Sequence, residues 1–226
     1  YFSDEEVSAN NVFTAGSIDL KVDHEKQTYN GVDCETCSLT LYSEDGNTQV
    51  VDGTNTVLTN FPFAAPETET NSAWADHSEA QWIWASETTE PGDDGSGGVD
   101  VTYVFERTFH WNGAADGIDF ELSTGADNSY VVFLNGDQVA ADTSEDNFSS
   151  LDTDNFDDSL MNGENVLRIE VTNHVNDPGY NTPDRNPGGL LYYLEIEKEG
   201  CDAENEEFQN HCTLFAEKDL EDGDHF

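Results

Sequence analysis

The sequence predicts an all-β chain folded as a jelly-roll β-sandwich. Helix signals are nearly absent, apolar residues alternate with polar ones or cluster in short runs, and Gly, Asn, Asp and Pro separate those runs. Residues 17–23 (SIDLKVD) alternate strictly and read as a half-buried strand. Residues 99–109 (VDVTYVFERTF) alternate over a longer stretch, followed by strands at 117–122 (GIDFEL) and 130–134 (YVVFL). Asn135-Gly136 is the dipeptide most favoured in a type I′ hairpin, which makes Gln138-Val139-Ala140 the return strand. Residues 165–171 (NVLRIEV) and 190–196 (LLYYLEI) complete a set at sandwich-like spacing. Loops are predicted at 87–98, from its Gly, Pro and acid content, and at 173–189, which holds three prolines and three glycines.

Charge is the dominant feature of the composition. Forty-nine Asp and Glu against seven Lys and Arg give a net charge of −42, spread along the chain rather than gathered in a tail. Such a surface repels nucleic acid and anionic membranes, so neither is an electrostatic partner. No apolar stretch approaches the roughly 20 residues of a membrane span. Hydrophobic residues make up 35%, enough for a packed core. At 1 M salt the Debye length shrinks to about 3 Å and the self-repulsion is screened. Lysine depletion beside acid enrichment therefore reads as adaptation to a hypersaline environment; an ordinary acidic secreted protein with bound cations is the competing reading.

The cysteines fall in two clusters, Cys34/Cys37 and Cys201/Cys212. An even count suits an oxidising compartment and disulfides. The spacing of Cys34 and Cys37 also fits zinc, but the ten residues between Cys201 and Cys212 do not. Jelly-roll termini emerge close together, so at least one bond between the clusters is expected, with Cys37–Cys201 and Cys34–Cys212 as the nested choice. The chain begins at Tyr1 rather than Met and reads as a processed, secreted form. The expected organisation is an N-terminal strand segment at 1–33, the sandwich at 34–200 and a return segment at 201–226.

Two stretches carry family resemblances. Tyr1-Phe2-Ser3-Asp4, followed by residues 11–22 (NVFTAGSIDLKV), resembles the mature start of TasA/camelysin-type proteins. These are secreted subunits of extracellular fibres and biofilm matrix. Gln81-Trp82-Ile83-Trp84, residues 105–109, residues 126–136 (ADNSYVVFLNG), residues 160–167 and residues 188–192 (GGLLY) are together similar to the galactose-binding-like jelly rolls attached to many extracellular proteins. The first resemblance implies a filament or matrix subunit that polymerises with itself. Its N-terminal donor-type strand, anchored by Tyr1, Phe2, Val7, Val12 and Phe13, would add to the open sheet of the next subunit. The second keeps open a monomeric carbohydrate-binding or adhesive module with surface glycans as partners.

Residue types add candidates for binding. Trp82 and Trp84, two apart on a strand, face the same side and are expected in the core. Trp74 and Trp111 sit among polar or turn residues and are the candidate exposed, sugar-stacking aromatics. No cofactor is required; Ca²⁺ is the cation suited to the acidic clusters, with Asp93/Asp94, Asp127 beside Asn128, Asp152 and Asp154, and Asp177 with Asp184 as candidate ligands. Asn147-Phe148-Ser149 is a glycosylation sequon in a polar loop, with Asn147 as acceptor. Catalysis is not expected. His24-Glu25 does not continue into a zinc helix, no nucleophile elbow is present, and the six histidines are scattered.

Overall fold

A computed structural model describes residues 28–29, 32–33, 38–53, 64–66, 73–85, 98–113, 116–156, 159–175, 182 and 185–198. The chain divides into two compact units, Tyr1–Cys34 with Glu206–Phe226, and Glu35–Asn205. In the first, β1 (Thr28–Tyr29) pairs antiparallel with β2 (Val32–Asp33). The predicted strand at 17–23, the donor residues Tyr1, Phe2, Val7, Val12 and Phe13, and all four cysteines lie outside the described residues.

The second unit is an all-β sandwich of two antiparallel sheets. Its strands are β3 (Ser38–Tyr42), β4 (Gln49–Gly53), β5 (Ala65–Pro66), β6 (Ile83–Trp84), β7 (Val101–Trp111), β8 (Ile118–Asp127), β9 (Ser129–Leu134), β10 (Asp137–Asp142), β11 (Asp152–Phe156), β12 (Gly163–Asn173) and β13 (Gly189–Lys198). One sheet runs β10-β9-β12-β7-β4. The other runs β11-β8-β13-β6-β5, with β3 also pairing to β13. The alternation at 99–109 becomes β7, and the Asn135-Gly136 turn joins β9 to β10 with φ of 53° and 93°, both in the left-handed region that a type I′ turn requires. The Asn135 side chain locks this turn to β12: its Oδ1 accepts the Val166 N–H at 2.9 Å and its Nδ2 donates to buried Asn165 Oδ1 at 2.7 Å.

Alternation fixes the core. On β8, Ile118, Phe120, Leu122 and Ala126 point inward; on β13, Leu190, Tyr192, Leu194 and Ile196 do so. From the facing sheet come Tyr103, Phe105, Trp111, Tyr130, Val132, Leu134, Leu167 and Ile169. Fully burying each large side chain is worth roughly 1.5–3 kcal/mol. Trp111, expected to be exposed, is completely buried here, because the period of β7 places its odd-numbered residues inside. Trp82 and Trp84 are both buried but do not share a side. Trp84 packs in the main core at 5.1 Å from Tyr103, whereas Trp82 joins a second cluster with Trp74, Ala80 and Leu191. Strand β6 is only two residues long, so the chain entering it at Trp82 is not bound by strand alternation.

Candidate functional site

The second cluster lies on the outer face of the β11-β8-β13 sheet, and its position follows from register. Residues of β13 that face away from the core are Gly189, Leu191, Tyr193, Glu195 and Glu197. Opposite them on β8 stand Asp127, Gly125, Ser123, Glu121 and Asp119, and on β3 Tyr42, Thr40 and Ser38 lie beside Tyr193, Glu195 and Glu197. Thr153 and Asn155 of β11 extend the rows beyond Ser123 and Glu121. The segment 73–82 straps across one end of this face. Gln81 N–H donates to Ser43 O at 2.8 Å, Ser43 Oγ–H donates to Gln81 O at 2.7 Å, and the Trp82 indole N–H donates to Ala75 O at 2.8 Å. Two glycines make room for it: a Cβ on Gly189 would stand 2.6 Å from the Trp74 ring, and one on Gly125 would stand 3.0 Å from the Trp82 ring.

From this strap the face grades from aromatic to acidic. Trp74 and Trp82 pack with ring centres 4.3 Å apart and are buried, so Trp74, expected to be exposed, is the strap's inner side packed on the sheet at Gly189 instead of a free platform. The partly exposed rings are different ones. Tyr193 stacks on Tyr42 (6.4 Å between centres, 20° between planes) and contacts His77 at 4.2 Å. Backbone N–H groups of Glu79 and Ala80 both donate to His77 Nδ1 at 3.2 Å, which leaves the ring proton on Nε2 as an outward donor. The Tyr193 hydroxyl donates to Glu195 Oε1 at 3.2 Å. Its hydrogen bonding to Glu79, with burial and Glu195 adding, pushes the phenol up to about 12, so it stays protonated. Past Tyr193 the face becomes a groove of about 550 Å³ lined by carboxylates of Asp119, Glu121, Glu195 and Glu197, with Asn155 and Phe156.

Asp127 closes the opposite end. Its carboxyl is buried, and desolvation pushes it up to about 7. The Trp74 indole N–H makes no hydrogen bond of normal geometry, and its proximity offsets only part of that shift. Asp127, a candidate Ca²⁺ ligand from its place beside Asn128, is thus an enclosed carboxyl at the end of the sheet's outer face. Asp152 and Asp154 sit on β11, and the Tyr130 hydroxyl donates to Asp152 Oδ2 at 3.2 Å; desolvation raises both carboxyls. Among the described residues no three His, Cys, Asp or Glu side chains converge as a metal site. Asp93, Asp94, Asp177 and Asp184 lie outside the described residues. Asn147, the sequon acceptor, is 4% exposed, and its Nδ2 donates to Ser144 O at 3.3 Å and Asp142 O at 3.5 Å.

The sequence reading missed Tyr42, His77 and Tyr193. The alternation of Ser38-Leu39-Thr40-Leu41-Tyr42 is the signal that would have placed Tyr42 on an outer face.

No family model matches the chain, and no curated protein matches it. The TasA/camelysin resemblance at the N-terminus therefore rests on its motif alone. Solved structures with similarity include a family 35 carbohydrate binding module from Clostridium thermocellum, 10% identical, with a TM-score of 0.35, covering 71% of this chain and 98% of that one. A CBM35 from Paenibacillus barcinonensis is 11% identical with a TM-score of 0.32, covering 69% and 97%. The GH26-CBM35 β-(1,4)-mannanase of Podospora anserina is 12% identical with a TM-score of 0.36, covering 74% of this chain and 28% of that one. Likeness at this level assigns neither a ligand nor a site. Among the described residues no helix is long and apolar enough to cross a membrane.

Proposed function

We propose that the Glu35–Asn205 sandwich is a carbohydrate-binding module that takes a neutral glycan along the outer face of its β11-β8-β13 sheet. The observation that carries this reading is the continuity of the Tyr42–Tyr193–His77 row with a groove lined by carboxylates. A sugar ring has an apolar face of C–H groups and a rim of hydroxyls. Partly exposed aromatic rings match the first, and they pack at low entropic cost because they are already stacked. Carboxylates of Glu121 and Glu195, the hydroxyls of Ser123, Thr40 and Thr153, and the Asn155 amide match the second. Hydroxyls donating to carboxylates make charge-assisted bonds, stronger than neutral ones. Uronic acids would be repelled by the same acids.

Affinity electrophoresis at molar salt against a panel of soluble neutral and uronic polysaccharides tests the reading. Retardation by a neutral member, weakened about tenfold by Tyr193→Ala, is expected, since one central aromatic in a binding surface is worth roughly 1–2 kcal/mol. Binding that Tyr193→Ala leaves unchanged, or no retardation by any neutral member, would refute it. Filament assembly by strand donation rests on residues 1–13, which lie outside the described residues, and no observation on the sandwich favours it.

A further inference from the structure

On the other sheet, where β7 begins, β9 begins and β12 has just ended, three side chains far apart in sequence form a line. Ser129 Oγ lies 2.8 Å from His174 Nε2, and His174 Nδ1 lies 3.0 Å from Asp100 Oδ2. The remaining Asp100 oxygen, Oδ1, accepts the Val175 N–H at 2.8 Å, which aims the carboxylate at the ring. The backbone of His174 is held on both sides: its N–H donates to Asn128 Oδ1 at 2.8 Å, and its carbonyl accepts Asn186 Nδ2 at 3.0 Å. The imidazole is thus fixed in place as well as in orientation.

The partners also fix the protons. The Val175 N–H, and next His174, hold the Asp100 carboxyl below the ordinary carboxylate value, so it is ionised and can only accept. Nδ1 must then carry the ring hydrogen. Nε2 presents a lone pair, and the Ser129 hydroxyl donates into it. This is the tautomer in which a histidine acts as general base for a serine. His174 is 30% exposed and Asp100 47% exposed, so a solute reaches the line without any opening of the fold.

We infer that Ser129, His174 and Asp100 form a nucleophilic site that accepts the acyl group of small neutral esters. Ser129 Oγ attacks the acyl carbon while its proton passes to His174 Nε2. The alcohol departs with that proton, leaving an acyl-Ser129 ester. Water, deprotonated by the same nitrogen, then releases the carboxylic acid and restores the serine. Asp100 touches no substrate and acts as a positioning residue by holding the tautomer. Anionic esters are disfavoured by the net charge of −42. This activity is independent of glycan binding, which uses the opposite sheet.

The test is p-nitrophenyl acetate with the full chain at molar salt, read both as p-nitrophenol release and by peptide mapping of the acetylated protein. Expected are a single acetyl adduct on Ser129 and release at least about 100-fold faster than from Ser129→Ala, the scale of general-base assistance. Asp100→Asn should slow acetylation while circular dichroism stays unchanged. Mapping of the unsubstituted protein needs no variant to fold. Adducts spread over tyrosines and lysines with none dominant at Ser129, p-nitrophenol release no faster than from Ser129→Ala, or unchanged Ser129 acetylation in Asp100→Asn would overturn the proposal; they would leave the three residues as a stitch between strand ends.

Discussion

At Asp127 a single side chain couples pH to stability. Its ordinary value is 3.8 and burial in the fold raises it to about 7. Between those values the native state holds a proton that the unfolded chain has lost. Stability therefore falls as pH climbs through this range and levels off above it. At about 1.4 kcal/mol per unit the contribution is on the order of 4 kcal/mol. Asp127→Asn removes the titration, so calorimetric melting curves at pH 5 and pH 8 should differ less for the variant than for the parent; parallel pH dependence of the two would exclude this assignment. Gly188 is a second position where one atom decides. A Cβ there would stand 2.2 Å from Cζ2 of Trp84, a ring that is wholly buried and cannot retreat. Gly188→Ala should cost about 1–3 kcal/mol or more, measured by denaturant unfolding, through overpacking. Tyr193→Phe isolates the hydroxyl of the binding row. It should weaken glycan binding less than Tyr193→Ala does, because the ring that stacks on Tyr42 remains.

At the scale of elements, β8 and β13 pair through ten successive positions with two like-charged pairs directly opposite, Glu121 with Glu195 and Asp119 with Glu197. Directly opposed like charges destabilise an antiparallel pair, and each such contact is worth roughly 0.2–1 kcal/mol. Glu121→Lys turns one repulsion into an attraction. Its melting temperature should exceed the parent's at low salt, with the gain vanishing at molar salt, where screening removes both effects; a gain independent of salt would mean that charge is not its source. The same substitution should weaken glycan binding, since Glu121 lines the groove. Long strands were legible in the sequence: β9, β12 and β13 each contain the predicted run, and β7 overlaps its run over residues 101–109. β12 shows why: one of its faces is buried and the other is not, so apolar and polar residues alternate along it. β11, Asp152-Thr153-Asp154-Asn155-Phe156, was not legible, because an edge strand of this composition carries one apolar residue and otherwise resembles an acidic loop. β6 was misread for a related reason: two residues are too few for alternation to dictate which way Trp82 and Trp84 point.

For the whole molecule, the net charge of −42 sets the conditions of folding. Near 10 mM salt the Debye length reaches about 30 Å and the entire surface repels itself. Melting temperature should rise steeply from low salt to molar salt, whatever the neutral electrolyte. A melting temperature constant from 0.1 to 3 M would separate this protein from those adapted to concentrated salt. The sandwich tolerates such a surface because its two inner faces are nearly free of acids. Among the described residues Asp127 is the one fully buried carboxylate, and it sits outside the main core, on the outer face.

The sequence by itself determined the all-β class, the Asn135-Gly136 turn, the inward faces of the long strands and the polyanionic surface. Each of these depends on local period, local turn chemistry or a sum over the chain. Tertiary structure alone decided which aromatics meet solvent and which functional groups meet each other. Trp74 disappears inside while Tyr193, Tyr42 and His77 form the open row, because exposure on an outer sheet face depends on which segment packs over it. Ser129, His174 and Asp100 come together because register aligns three strand ends, and register across non-neighbouring strands leaves no trace in the spacing of residues along the chain.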